Sequence, residues 1–295
     1  MNVPLYAVRD EFLRQLDHAV RALQGSSGER IHDVRKELKR ARATLRLLRP
    51  CMGADPYRRE NTILRDAARP LAPVRDAKVL MQAATRLLPD RDGNNLAALR
   101  RELRTLLHSE RLESQHELRV QHRAAAADTL RGVASRTERL AHTLPDRLAL
   151  SRGLSRVYKS GRKALARARR HPTDANLHEC RKQAKYLLNQ IDVAHRLGVR
   201  RLAKSHRRAH RLADVLGRDH DLAALNDKVK EFADNGFLRA DAVTVEKWRA
   251  RAQQCRSALQ KEAFPLGRRL YAEKTGRFRA HLKMRKTKVS NRRAA

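Results

Sequence analysis

A nine-residue pattern occurs twice in this chain. Ile31-His32-Asp33-Val34-Arg35-Lys36-Glu37-Leu38-Lys39 aligns without a gap on Leu177-His178-Glu179-Cys180-Arg181-Lys182-Gln183-Ala184-Lys185. His, Arg, Lys and Lys recur in register, and the apolar positions recur with helical spacing. Farther along, Arg75-Asp76 and Arg218-Asp219 return in the same order at nearly the same separation. The repeat is too long and too few-fold for a solenoid. It points to a duplicated helical unit of about half the chain, and so to two related helical bundles.

Helix is the expectation almost throughout. Ala, Leu and Arg dominate, all strong helix formers, and no sustained strand alternation bounded by turn residues occurs. The breaks fall between periodic segments: Gly25 to Gly28, Pro50 to Pro56, Pro70 to Pro73, Pro89 to Gly93, Pro145, Pro172, Gly198, Gly217, Gly236 and Pro265. They predict helices over 5–23, 28–49, 56–69, 74–88, 94–142, 147–170, 174–197, 199–216, 219–234 and 238–263. Ser26 with Glu29 fits a capping box. Thr173 or Asp174 fits a cap for the helix that follows Pro172.

On a helical wheel, residues 31–49 sort into sectors. Ile31, Val34, Leu38, Ala41, Leu45 and Leu48 make an apolar stripe, and His32, Arg35, Lys36, Lys39, Arg42 and Arg46 a basic one. Asp33 and Glu37 fall elsewhere. The second copy repeats this with Leu177, Cys180, Ala184, Leu187 and Ile191 beside His178, Arg181, Lys182 and Lys185. Two more segments are sorted the same way. Arg152, Arg156, Lys159, Lys163, Arg167 and Arg170 share one face; Arg200, Lys204, Arg207 and Arg211 share another, with Arg208 beside them. Like charges at this spacing repel by tenths of a kcal/mol per pair. Stripes without interleaved acids therefore suggest an anionic ligand.

The overall charge asks for the same partner. Lys and Arg number 67 against 32 Asp and Glu, a formal net charge of +35. Such a surplus strains a compact chain by self-repulsion unless a polyanion is present. Nucleic acid, anionic membrane and inorganic polyphosphate all qualify. Aromatics are 4% of the residues, which argues against single-strand binding on stacking platforms but not against phosphate contacts to a duplex. No apolar run approaches a membrane span and no secretory signal is visible, so no membrane partner is expected. Three scattered cysteines, Cys51, Cys180 and Cys255, fit a reducing compartment and a cytoplasmic location.

Some residues keep two readings. His32 and His178 suit either a phosphate contact or a hydrogen bond to a neighbouring helix. His206 and His210 have the i, i+4 spacing of a metal pair, but arginines surround them and no metal is expected. Asp76 and Asp219 are expected to cap or to pair with bases, while Arg75 and Arg218 stay open. There is no phosphate-binding Gly loop, dinucleotide turn, Ser elbow or Cys nucleophile signature, so neither catalysis nor a cofactor is expected.

Together, the doubled His-x-x-Arg-Lys-x-x-Lys pattern and the Arg-Asp pairs resemble the CHAD family, the conserved histidine α-helical domain. The resemblance spans roughly residues 5–275. It implies an all-α fold of two four-helix-type bundles related by a pseudo-twofold axis, with a basic groove or pore between them. It also implies binding of inorganic polyphosphate and targeting to polyphosphate granules. The charge leaves an alternative, a non-specific nucleic-acid-binding protein; on the polyphosphate reading, nucleic acid is a weaker competitor. Family ligand residues carry over onto His32, Arg35, Lys36, Lys39 and Arg42, and onto His178, Arg181, Lys182 and Lys185. Tyr186 and Leu188 stand where the first copy has Arg40 and Arg42, and Asp10 and Asp17 precede the first copy where the second is preceded by bases. A lopsided site, heavier on the second half, follows. The expected organisation is one CHAD domain over 1–280, with halves of about 1–143 and 144–280, and a disordered basic tail over 281–295. Oligomeric state is open.

Overall fold

The computed structural model describes residues 5–24, 28–87, 94–117, 120–141 and 149–282. The expected tail, apart from its first two residues, and the capping box at Ser26 lie outside them. Among the described residues the chain forms eleven α-helices, one 3₁₀ turn and no strand. The helices are α1 (Leu5–Leu23), α2 (Gly28–Met52), α3 (Ala54–Ala68), α4 (Ala72–Leu87), α5 (Asn94–Glu117), α6 (Val120–Ala141), α7 (Ala149–Arg170), α8 (Asp174–Arg196), α9 (Ala203–Asp234), α10 (Ala242–Leu270) and α11 (Thr275–Leu282), with the 3₁₀ turn at Arg200–Leu202.

Most predicted segments appear near their expected bounds. Three glycine or proline punctuation marks do not break a helix, the first being Pro50 inside α2. Gly217 lies inside the continuous α9, which replaces the two helices expected over 199–216 and 219–234. A mid-helix glycine costs only about 1 kcal/mol, and the flanking residues are anchored: Asp219 is buried and accepts from Arg256 and Gln260 of α10. Pro265 likewise lies inside α10. The helix expected over 94–142 is seen as α5 and α6, with residues 118–119 and 142 outside the described ones. Thr173 is the cap of α8, its hydroxyl accepting from the Asn176 N–H at 3.3 Å. Asp241 caps α10 through Thr244 N–H at 2.6 Å.

α1 packs along α2 and α6, and α7 along α8 and α11; α4 pairs with α5, and α9 with α10. The halves join where α2 meets α7 and α8 and where α4 meets α9. One continuous apolar core runs through both, including Phe12, Leu38, Leu45, Leu103, Tyr158, Leu187, Ile191 and Trp248. Polar residues tie the seam. Gln15 donates to Glu11 at 2.9 Å, Thr44 donates to Gln15 at 2.8 Å, and Arg196 of α8 reaches Glu11 of α1. Glu11, Gln15 and Thr44 are all buried. Satisfying them fixes how α1, α2 and α8 meet, because an unpaired buried polar group costs about 1–3 kcal/mol.

Close approach at the seam depends on Gly153 of α7. A Cβ there would lie 2.8 Å from the Leu47 Cα of α2. The missing side chain lets the two helix backbones sit against each other.

Candidate functional site

α2 and α8 cross antiparallel. The Gln190 amide of α8 donates to the Ala43 carbonyl of α2 at 3.0 Å, and the Arg46 guanidinium of α2 lies 3.8 Å from the ring centre of Tyr186. Position rises along one helix as it falls along the other. The two copies of the repeated motif therefore lie on opposite sides of the crossing. At 1.5 Å per residue, Arg35 and Arg181 are each about 12 Å along their helices from these contacts. Each copy then meets a different helix. Beyond one end, Arg35 faces Asp76 of α4 at 3.6 Å. Beyond the other, Arg181 lies against Gly217 of α9, and His178 packs on His220 of α9 with ring centres 4.8 Å apart. Since α4 also packs on α9, the helices α2, α8, α9 and α4 form a closed circuit of contacts.

Within this circuit the motif residues differ in exposure. Lys36, Lys39 and Lys185 are exposed. Arg35 is only 12% exposed, and Arg181 is half-buried. Lys182 pairs with Glu179 one turn earlier, and Glu179 also accepts from Gln183 at 2.7 Å. Partial burial, then Arg181, then Lys182 lower the pKa of His178 from its ordinary value, against a weaker pull from Glu179. His178 is thus neutral at pH 7 in the free protein, while its ring stays open to solvent. His32 lies on α2, but its side chain is outside those described; so is that of Arg75.

Arg42 and Arg46 sit at the crossing itself. Arg42 Nε and Arg46 Nη1 both donate to Asn61 Oδ1 of α3 at 3.3 Å, and Arg46 also donates to the Arg42 carbonyl at 2.8 Å. Burial lowers the Arg42 pKa, with Tyr186 opposing and Arg46 adding to that shift; a guanidinium remains charged all the same. Tyr186, a departure from the first copy, thus serves as the aromatic bed for an arginine of that copy, a cation–π contact.

The other two basic stripes go elsewhere. On α7, the buried Tyr158, Gly161 and Leu165 face α10, Tyr271 and α11. Arg156, Lys159, Lys163 and Arg167 are exposed on the opposite side of the helix. They form an outward row pointing away from the circuit, and no described carboxylate pairs with them. On α9, Arg208 donates to the Arg269 carbonyl of α10 at 2.8 Å, and Arg211 faces Glu262 of α10 at 3.7 Å. Lys204 and Arg207 are exposed nearby. The structure therefore places the two motif copies on either side of Arg42 and Arg46, exposes the α7 row on the side of its helix opposite Tyr158 and Gly161, and holds the start of α9 against α10 and the end of α8.

Contacts invisible in the sequence complete the picture. Asp76 and Asp219 sit inside helices as ion-pair partners rather than caps. Asp219 shares Arg256 with Asp174 at the start of α8, so the base of the second copy is pinned to α9 and α10. Burial works against the Arg256 charge, but Asp174 and Asp219 outweigh it and raise the pKa. His206 has a carboxylate after all: Asp192 of α8, at 2.7 Å. Among the described residues no group of three or more His, Cys, Asp or Glu is placed to hold a metal ion. Cys180 is buried and its thiol is pushed up to about 12 by burial and by Glu179. No described helix is long and apolar enough to cross a membrane.

Against this geometry stand the likenesses to known proteins. The CHAD domain family matches residues 7–230, and the chain belongs to that family. Two solved structures share its fold. The CHAD domain from the plant Ricinus communis is 19% identical with a TM-score of 0.59, over 93% of this chain and 91% of that one. PptA from Streptomyces chartreusis is 16% identical with a TM-score of 0.65, over 92% of this chain and 99% of that one. No curated protein sequence matches significantly.

Proposed function

We propose that this protein binds inorganic polyphosphate without catalysis and that it is targeted to polyphosphate granules in the cytoplasm. One observation carries the reading. Both copies of the basic motif flank a single helix crossing, so cations from α2 and α8 succeed one another along one line. A linear polymer with one negative charge per repeat and no bases suits such a row. Arg supplies forked contacts and Lys point charges. Aromatic platforms are unnecessary, and Tyr186 at the crossing is taken by Arg46.

The reading is tested by titrating long-chain polyphosphate into the protein at moderate salt. Lys36→Glu, Lys39→Glu and Lys185→Glu reverse exposed charges, so the combined variant is expected to keep its helicity by circular dichroism and to bind long-chain polyphosphate about tenfold or more weakly. Unchanged affinity would place the ligand elsewhere. Duplex DNA at equal phosphate concentration is expected to compete weakly; displacement of polyphosphate by it would make nucleic acid the ligand.

A further inference from the structure

We infer a second anion-binding site, a groove between α4 and α5 built to hold a short linear condensed phosphate of three or four units. The groove has a volume of about 440 Å³ and is lined by Lys78, Gln82, Thr85 and Arg86 of α4 and by Arg104 and Arg111 of α5, with Met81 among them. Four cations and two neutral polar groups converge there, and no carboxylate joins them.

That absence is the result of sorting. Asp76, on the opposite face of α4, is turned to Arg35. On α5, Glu102 accepts from the Arg239 N–H at 2.7 Å, and Glu110 pairs with Lys228 at 2.5 Å. Glu113 falls on the far side of the α5 wheel from Arg111, about 200° away. Each of these acids is directed away; Arg86 also lines a neighbouring cavity with Asp221 and Glu262, so Lys78, Arg104 and Arg111 carry most of the charge that faces the groove.

Spacing selects the ligand. Arg104 and Arg111 are two turns apart, about 10 Å at 1.5 Å per residue. Lys78 and Arg86 span a similar distance on α4, and the two helices pack side by side. The four cations that line the groove are therefore spread along it over about 10 Å. Orthophosphate reaches one end; a tri- or tetraphosphate reaches both. The groove faces away from α2 and owes nothing to the repeated motif. Asp221 and Val229 of α9 occupy positions corresponding to Lys78 and Arg86. The inference thus stands apart from the polyphosphate reading of the α2–α8 crossing.

The test uses the full chain carrying Lys36→Glu, Lys39→Glu and Lys185→Glu, in which the crossing is disabled. Calorimetry at low ionic strength with sodium tripolyphosphate is expected to give one site. Orthophosphate should bind about 100-fold more weakly, as loss of the charge-assisted contacts at one end implies. Adding Lys78→Gln, Arg104→Gln and Arg111→Gln is expected to weaken tripolyphosphate at least tenfold. No binding in the first variant, or unchanged binding in the second with helicity intact, overturns the site. If the glutamine variant loses helicity, hydrogen exchange on the wild-type chain decides: tripolyphosphate must protect 78–86 and 104–111, and lack of protection overturns the site. ATP in place of tripolyphosphate separates sources. Equal affinity means the groove takes any triphosphate terminus, and preference for tripolyphosphate means it takes free condensed phosphate. Failure of long polyphosphate to bind the unmodified crossing would refute the proposed function and leave this result untouched.

Discussion

His178 is the residue whose chemistry most directly reports on the crossing. In the free protein its pKa is lowered by burial, Arg181 and Lys182, so it is neutral at pH 7. An anion placed beside it reverses the balance and raises the pKa, so binding takes up a proton. Affinity for polyphosphate then rises as pH falls through the region below about 6.5, with a limit of about tenfold per pH for the one proton gained. Calorimetry from pH 8 to pH 5.5 should show this trend, and His178→Gln should flatten it. A flat profile in the wild type would exclude the ring from ligand contact. That His178 sits beside the basic stripe was legible from the repeat. Its partner His220 was not, because nothing in the spacing of α9 marks which turn meets α8. The same holds for Asp192 and His206: the i, i+4 histidine pair is visible in sequence, the carboxylate that holds it is brought by a neighbouring helix.

At the scale of elements, apolar periodicity gave helix positions well and helix ends less well. Gly217 and Pro265 read as breaks because local propensity is all a sequence offers, whereas tertiary anchoring through Asp219 and Arg256 carries α9 onward. The basic stripes were also legible as stripes. Their directions were not. The outward set on α7 looks the same on a wheel as the one on α2, and only the packing of Tyr158 and Gly161 reveals which way it points. Gly153 offers a test of the seam between the halves. Gly153→Ala places a methyl carbon against the Leu47 backbone. Overpacking of this kind costs about 1–3 kcal/mol, more than the roughly 1 kcal/mol that alanine returns as a better helix former. Chemical denaturation should show a net loss of stability, whereas Gly132→Ala in α6, facing only an arginine tip at 3.1 Å, should leave it unchanged or raise it.

For the whole molecule, a formal charge of +35 dominates behaviour. Ion pairs within the chain offset part of it, but many run between neighbours on one helix, such as Arg40 with Glu37 and Arg249 with Glu246, and contribute little. Self-repulsion therefore weakens the free fold at low ionic strength. The melting temperature should rise as salt is added from about 10 mM to about 200 mM, since screening reaches ~10 Å near 0.1 M. Polyphosphate should raise it further at fixed salt, by mass action on the native state. A melting temperature that falls over that salt range would mean that attractions, not repulsions, prevail on the surface. The all-α class and the charged faces of this molecule were readable from the chain; the circuit of four helices was not, since it depends on which helix lies beside which.

The opposed courses of α2 and α8 have a last consequence. Apart from Arg42 and Arg46 in the middle, the order of motif guanidinium and ammonium groups past the crossing reads the same from either tip: Arg35, Lys36, Lys39, then Lys185, Lys182, Arg181. Nucleic acid strands have a 5′ and a 3′ sense and must choose an orientation; a phosphoanhydride string has none, so it could slide through, reverse or be gripped anywhere along its length without ever being the wrong way round.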